Sequence, residues 1–172
     1  MTLDELFLNR QSTRSYDPTK KVSIEDLEKI IEAGRLSPSA RNGQPWKFIV
    51  VTSEELLPKI RKECQAFGFN KFTNDVNAFI LILEDKDLLK SIPRDFTQID
   101  TGLATSQMIL KACDLGLSTC ILGGIDGEGL KKVCGIKSKQ PIRIVLTVGY
   151  QKDDDPIRPK NRKDIKDISM FM

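Results

Sequence analysis

A loop of turn formers and amide side chains holds the residues best suited to chemistry. It covers positions 37–46, Ser-Pro-Ser-Ala-Arg-Asn-Gly-Gln-Pro-Trp, and contains the only Trp of the chain. Pro38 and Pro45 fix φ and remove two backbone donors. The side chains that offer both donors and acceptors are Ser39, Asn42 and Gln44. Such a loop could bind a planar ligand rich in heteroatoms, and the alternative is an ordinary connection between a helix and a strand, with Trp46 capping the core.

Several kinds of catalytic machinery are absent from the sequence. The chain has no histidine, which excludes Ser-His-Asp and Cys-His catalysis and the usual zinc sites. Its four cysteines form no Cys-x-x-Cys pair, so we expect small buried hydrophobic residues and no metal site. No Gly-x-Gly-x-x-Gly occurs, and a stably bound dinucleotide in a Rossmann domain is not expected. A bound cofactor is therefore the expected carrier of any chemistry.

Length and composition predict a single domain over residues 1–172. No apolar run approaches the roughly 20 residues that span a bilayer, and the N-terminus does not resemble a signal peptide. We therefore expect a cytoplasmic protein without a membrane partner. The net charge of +3 comes from basic residues scattered among acidic ones, so a nucleic-acid partner is not expected.

Apolar patterning predicts helices that alternate with strands. Helices are expected after Thr2 and after Ser23, over 53–67 with regular hydrogen bonding only from about Pro58, and over 96–115. The apolar runs predict four strands, at 47–52, 78–83, 119–122 and 142–148. This order favours an α+β fold with a mixed β-sheet packed on both sides by helices. The polar segment 152–162 is expected to be a loop or an arm.

Four motifs resemble those of the nitroreductase family of FMN-dependent oxidoreductases, and together they span residues 10–162. In chain order they are Arg-x-Ser-x-Arg-x-aromatic at 10–16, Pro-Ser-x-x-Asn-x-Gln-Pro-Trp at 38–46, Gly116-Leu117 followed by Ile-Leu-Gly-Gly-Ile-Asp at 121–126, and Gly149-Tyr150 followed by Arg-Pro-Lys-Asn-Arg at 158–162. The resemblance implies a nitroreductase-like sheet flanked by helices, in a homodimer with FMN at the interface.

The resemblance also implies roles for individual residues. Arg10 and Ser12 would face the phosphate or ribityl chain of FMN, and Arg14 the pyrimidine end of the ring. The Gly123 backbone amide would support flavin N5. Because Arg can bind a phosphate through two parallel hydrogen bonds, Arg10 is well suited to a phosphate site. The full predicted cofactor-binding set is Arg10, Gln11, Ser12, Arg14, Pro38, Ser39, Ala40, Asn42, Gln44, Leu122, Gly123, Gly124, Lys160 and Arg162.

The loop at 38–42 would, by resemblance, come from the partner subunit and cover the flavin of the first subunit. Lys160 and Arg162 would return to the phosphate. Gln11 departs from the family pattern, which commonly has a basic residue there. The sequence leaves open how far a C-terminal arm is exchanged between subunits. It also leaves open the flavin contact in the middle of the chain, among Asn70, Lys71 and Asn74.

The activity implied by the resemblance is hydride transfer from NADH or NADPH, as a transient substrate, to an acceptor such as a nitroaromatic or a quinone. The mechanism would be ping-pong, with flavin N5 carrying the chemistry and no catalytic side chain. Two alternatives remain open from the residues: an FMN-binding protein for storage or redox sensing, and a scaffold that has lost its ligand.

Overall fold

The computed structural model describes residues 1–85, 96–137 and 139–172. Within these ranges, six α-helices and four strands follow one another. They are α1 (Leu3–Asn9), α2 (Ile24–Arg35), β1 (Trp46–Val51), α3 (Leu57–Cys64), β2 (Ala78–Glu84), α4 (Thr97–Asp114), β3 (Ser118–Leu122), α5 (Gly127–Val133), β4 (Ile142–Gly149) and α6 (Ile165–Ile168). No helix in these ranges is long and apolar enough to cross a membrane.

The four strands form one sheet in the order β1-β2-β4-β3. Every pair of neighbouring strands is antiparallel. The sequence predicts a mixed sheet, and the parallel pairing in it is a bridge between Ser12 and Thr119. This bridge brings the N-terminal segment to the edge of β3. The α+β nitroreductase-like fold is therefore confirmed, with parallel pairing confined to this bridge among the described residues.

Helices cover both faces of the sheet because the central strands are buried on both sides. Along β2, Phe79, Leu81 and Leu83 face one core cluster, and Ala78, Ile80 and Ile82 face the other. The first cluster contains side chains of α3 and α5, and the second contains side chains of α2 and α4. This alternation follows from the period of two residues in a strand.

Local sequence signals explain where the helices begin. Thr2 and Glu5 form the predicted capping box of α1, and the Ser23 side chain caps α2. Pro58 occupies the first turn of α3, as predicted, because a proline there removes a donor that the helix does not use. The sequence did not predict α5, although Asp126 caps its Gly129 backbone amide.

Candidate functional site

Residues 10–14 form an extended segment along the edge of β3. Thr13 N donates to the carbonyl oxygen of Thr119 at 3.0 Å, beside the Ser12 bridge. The side chains alternate: Gln11 and Thr13 are 8% and 0% exposed, whereas Arg10, Ser12 and Arg14 are half-buried or exposed. Three of the four predicted cofactor ligands in this segment, Arg10, Ser12 and Arg14, thus share one side of it. At about 3.3 Å per residue, Arg10 and Arg14 are roughly 13 Å apart along the backbone.

Gln11 turns to the opposite side and joins a hydrogen-bond network inside the chain. Its Nε2 donates to Gln151 Oε1 at 3.1 Å, and its Oε1 accepts from Arg158 N at 3.1 Å. Gln151 Oε1 also accepts from Thr13 Oγ1 at 3.1 Å. The Gln11 side chain is therefore not among the groups that the structure gathers on the side of Arg10, Ser12 and Arg14. It fixes the segment after β4 against the N-terminal segment.

The basic segment after β4 lies back against residues 10–12. Lys160 Nζ donates to the carbonyl oxygen of Arg10 at 2.6 Å, and Arg158 Nη2 donates to that of Ser12 at 2.8 Å. These contacts join two predicted motifs that lie 150 positions apart in the chain. The structure therefore brings Lys160 to Arg10, as a shared anion site requires.

Positive charges accumulate around Lys160. Burial lowers the pKa of its ammonium group, and the charges of Arg10, Arg162 and Arg158 lower it further. Cations that repel one another are stabilised by an anion placed among them. The arrangement is therefore suited to a phosphate group.

A cavity of about 430 Å³ lies beside this cation cluster. Arg10 and Arg162 line it together with apolar side chains of α4, β3 and β4, namely Ile109, Leu110, Ile121 and Ile144. Its volume falls in the range of small-molecule pockets, which combine an apolar lining with a few polar groups that fix orientation.

Gly123 and Gly124 follow β3 and are exposed, whereas the predicted ligand Leu122 is 5% exposed and lies in the core. A side chain added at Gly123 would meet no atom within 4 Å, so its backbone is open to a ligand. At Gly124, where φ is +64°, an added Cβ would lie 2.8 Å from the Phe69 ring. The edge of the exposed Phe69 ring therefore borders the glycine pair.

Asn70 is the one of the three mid-chain candidates that the structure ties to the glycine pair. Its Nδ2 donates to the carbonyl oxygen of Gly123 at 2.7 Å and to that of Cys64 at 2.9 Å. Asn74 is exposed and accepts instead from Gln65 Nε2 at 2.8 Å, and the Lys71 side chain is exposed.

The loop at 38–44 has a strained backbone. Arg41, Asn42 and Gln44 have φ values of +52°, +55° and +45°. The loop is held by its own side chains, since Ser39 Oγ accepts from Gln44 N at 3.0 Å and Gln44 Nε2 donates to the Asn42 carbonyl oxygen at 3.2 Å.

One buried carboxylate anchors this loop to the rest of the chain. Asp100, in the first turn of α4, is 3% exposed, and its Oδ2 accepts from Ala40 N at 3.1 Å. Among the described residues, no hydrogen bond joins the loop to residues 10–14 or to Gly123. The hydrogen bonds of a single chain therefore do not tie the loop to the other predicted ligands in the described ranges. Trp46, at its end, is half-buried and stacks on Phe48, so this ring does cap the core.

Several residues near the site were missed from the sequence. Arg158 is part of the basic motif at 158–162, but the motif alone predicts no role for it. The polar residues Gln151 and Asp100 gave no local signal, because their partners are distant in the chain. All four cysteines are free, and burial raises the pKa of each thiol; Cys64 and Cys120 are buried as predicted, whereas Cys113 and Cys134 are half-buried. Across the ranges that the structure covers, no cluster of residues could hold a metal ion.

The family model for the nitroreductase family matches residues 8–69 and 64–150, and the chain belongs to that family. A protein of Archaeoglobus fulgidus, provisionally named an NADH dehydrogenase/NAD(P)H nitroreductase, is 35% identical over 154 residues, covering 87% of this chain and 86% of the relative. A provisionally named NAD(P)H nitroreductase of Haemophilus influenzae is 28% identical, covering 95% of this chain and 93% of the relative.

Solved structures agree with this membership. A nitroreductase family protein of Clostridium difficile 630 superposes with a TM-score of 0.84 at 27% identity, covering 99% of this chain and 98% of the other. A provisionally named nitroreductase of Exiguobacterium sibiricum, solved in complex with FMN, has a TM-score of 0.87 at 24% identity, covering 100% and 98% of the two chains. The second likeness is evidence for the fold alone.

Proposed function

We propose that this chain is an FMN-dependent NAD(P)H oxidoreductase that works as a homodimer. The observation that carries the proposal is the contact between two distant motifs, in which Lys160 Nζ lies 2.6 Å from the carbonyl oxygen of Arg10. Arg10 and Arg162 also line the cavity beside this contact. An Archaeoglobus fulgidus relative is provisionally named an NAD(P)H nitroreductase, and a C. difficile R20291 structure at 25% identity is described as an FMN-dependent nitroreductase.

The donor set fits a molecule with one terminal phosphate and a planar ring. Arg10, Lys160 and Arg162 form what we call the phosphate end, where guanidinium and ammonium groups would bind the dianion. Arg14 and Gly123 form the ring end. Because residues 10–14 run parallel to β3, Arg14 lies nearer than Arg10 to the glycine pair that follows that strand. The two ends are thus ordered along one edge of the sheet.

Bound FMN supplies a hydride acceptor, which no side chain of this protein provides. In a ping-pong scheme, one turnover takes a hydride from C4 of NAD(P)H and a proton from water. With a quinone, the products are NAD(P)⁺ and the quinol. With a nitro group, they are NAD(P)⁺, a nitroso group and water. The protein binds the cofactor, orients its ring, and leaves an open face that nicotinamide and acceptor occupy in turn. With this function we expect the protein in the cytoplasm, where NADH and NADPH are formed.

The homodimer would bring the loop at 38–44 to the flavin of the partner subunit. Two observations support it. The loop has no hydrogen bond to the other ligands of its own chain among the described residues, and large apolar side chains of α1 and α4 are exposed. These are Leu3, Phe7, Leu8, Ile99 and Leu103. Exposed apolar side chains on two helices that contact each other are typical of an interface.

The proposal is tested on the purified protein. We expect a yellow protein that holds FMN without a covalent bond and in equal amount to the chain, and FMN in preference to FAD after acid release. The mass by light scattering should be twice the 19.4 kDa of one chain. Recovery of FAD, or no retention of added FMN, would contradict the cofactor assignment. A monomer that still holds FMN would contradict the shared site.

A further inference from the structure

Two guanidinium groups converge on one backbone carbonyl. Arg158 Nη2 donates to the carbonyl oxygen of Ser12 at 2.8 Å, and Arg14 Nη1 reaches the same oxygen at 3.5 Å. One carbonyl oxygen cannot neutralise two positive charges. The pair therefore forms a second concentration of positive charge, at a different carbonyl from the one that Lys160 contacts, and the Asp155 carboxylate offsets part of it.

The position of Arg158 is well defined by the chain. Its Nη1 forms an ion pair with Asp155 Oδ1 at 3.0 Å, and its backbone N–H donates to Gln11 Oε1 at 3.1 Å. The side chain is 45% exposed, and these contacts use two of the five guanidinium N–H groups. Three N–H groups remain for a ligand.

Two thiols of the site, Cys113 and Cys120, lie near different cations. Burial raises the pKa of Cys120, and the charges that oppose this rise are those of Arg14 and Arg158. Burial also raises the pKa of Cys113, where the opposing side-chain charges are those of Arg10 and Lys160. Arg158 therefore lies close to Arg14, with which it shares the Ser12 carbonyl oxygen, and its charge also acts on Lys160 at the phosphate end.

We propose that Arg158 is a second cation of the ring end, where it and Arg14 together stabilise the negative charge that reduction places on the pyrimidine edge of the flavin. The inference rests on the proposed function. A cation at that edge stabilises reduced flavin more than oxidised flavin, whereas a cation at the phosphate acts on both equally. Asp155 offsets part of the Arg158 charge through their ion pair.

The test compares Arg158→Gln with Arg162→Gln, using binding of FMN and of riboflavin and the midpoint potential of the bound flavin. In Arg158→Gln we expect the affinity for reduced FMN, relative to oxidised FMN, to fall about tenfold, which is about 30 mV in a two-electron potential. FMN and riboflavin should be weakened alike. In Arg162→Gln, FMN should be weakened and riboflavin not, with the potential unchanged. Arg35→Gln, which removes an exposed ion pair with Glu32 on α2, is the control.

Asp155→Asn gives a second test, in which the midpoint potential should change in the opposite direction. Because this variant keeps Arg158, it can also be used if Arg158→Gln does not fold. Loss of the carboxylate should raise the potential. An unchanged potential in both variants, with FMN still bound, would overturn the role of Arg158 and leave the proposed function standing. Weaker FMN binding with unchanged riboflavin binding in Arg158→Gln would move Arg158 to the phosphate end. Failure of the unmodified protein to bind FMN would instead contradict the proposed function.

Discussion

The side-chain amide of Asn70 donates a hydrogen bond to the carbonyl oxygen of Gly123 at 2.7 Å, across 53 positions of sequence. A second hydrogen bond from the same nitrogen, to Cys64 at 2.9 Å, fixes Asn70 against the end of α3. The Gly123–Gly124 peptide group, which contains this carbonyl, is thereby attached to the core, although Gly123 itself is exposed. We propose that Asn70 is a positioning residue, because by fixing the backbone on one side of Gly123 it constrains the adjoining Gly123 N–H that we assign to flavin N5.

Replacement of Asn70 by Gly should slow the reduction of bound flavin by NAD(P)H roughly 10-fold to 100-fold, because a displaced backbone group misplaces the reacting centre. Asn70 has φ +58°, which glycine adopts without strain, so the variant removes the side chain without straining the backbone. Stopped-flow absorbance measures the rate. Asn74→Gly, at an exposed position nearby, should match the unmodified protein. A rate in Asn70→Gly equal to that of the unmodified protein would mean that Asn70 does not position Gly123.

Replacement of Asp100 by Ala should lower the free energy of unfolding by about 1 to 3 kcal/mol, because Ala40 N–H loses its acceptor and the strained loop loses its anchor. Asp100→Asn retains an oxygen acceptor and should lose less. Urea denaturation measures both. The account of the anchor fails if Asp100→Ala is as stable as the unmodified protein.

Loss of any cation at the phosphate end should weaken FMN binding with little change in fold. Charged hydrogen bonds contribute roughly 1.5 to 3 kcal/mol each, so Arg10→Ala should raise the Kd for FMN about 10-fold to 100-fold. Lys160→Ala and Arg162→Ala should act in the same direction, and riboflavin, which has no phosphate, should bind all three variants as before. Unchanged FMN titrations in all three would place the phosphate elsewhere.

The lowered pKa of Lys160 predicts uptake of protons when FMN binds in alkaline solution. Without ligand, the folded chain releases this proton at lower pH than the unfolded chain, so the contribution of Lys160 to stability rises with pH between the two pKa values. A bound phosphate favours the ammonium form and raises the pKa again. Calorimetry at pH about 9, in buffers of different ionisation enthalpy, measures the uptake. It should disappear in Lys160→Arg, and its persistence there would assign the proton to another group.

Much of the fold could be predicted from the sequence because its strands are continuous apolar runs. The predicted strand at 78–83 is β2, Ala78–Glu84, every residue of which is buried. Helix α5 was missed because it is short, begins with Gly127 and Gly129, and buries little apolar surface besides Leu130. Glycines lower the helical propensity on which such a prediction depends.

The site was less predictable, because its contacts join distant segments. Nothing local to Asn70 or Asp100 indicates Gly123 or Ala40 as a partner. The inward turn of Gln11 did have a signal, since an extended segment with Arg10 and Ser12 on a ligand must place Gln11 on the other side. The motifs identified which residues could bind a cofactor, and only the packing of the chain separates them into two ends.

Anaerobic mixing of the FMN-loaded protein with NADH or NADPH tests whether the bound flavin accepts hydride from nicotinamide. We predict that the visible absorbance of oxidised flavin is lost much faster than with free FMN under the same conditions, and that it returns when a quinone or a nitroaromatic is added. Arg35→Gln should behave like the unmodified protein. Bound flavin that neither nucleotide reduces faster than free FMN would contradict the assignment as an oxidoreductase and favour a protein that stores FMN or senses redox state.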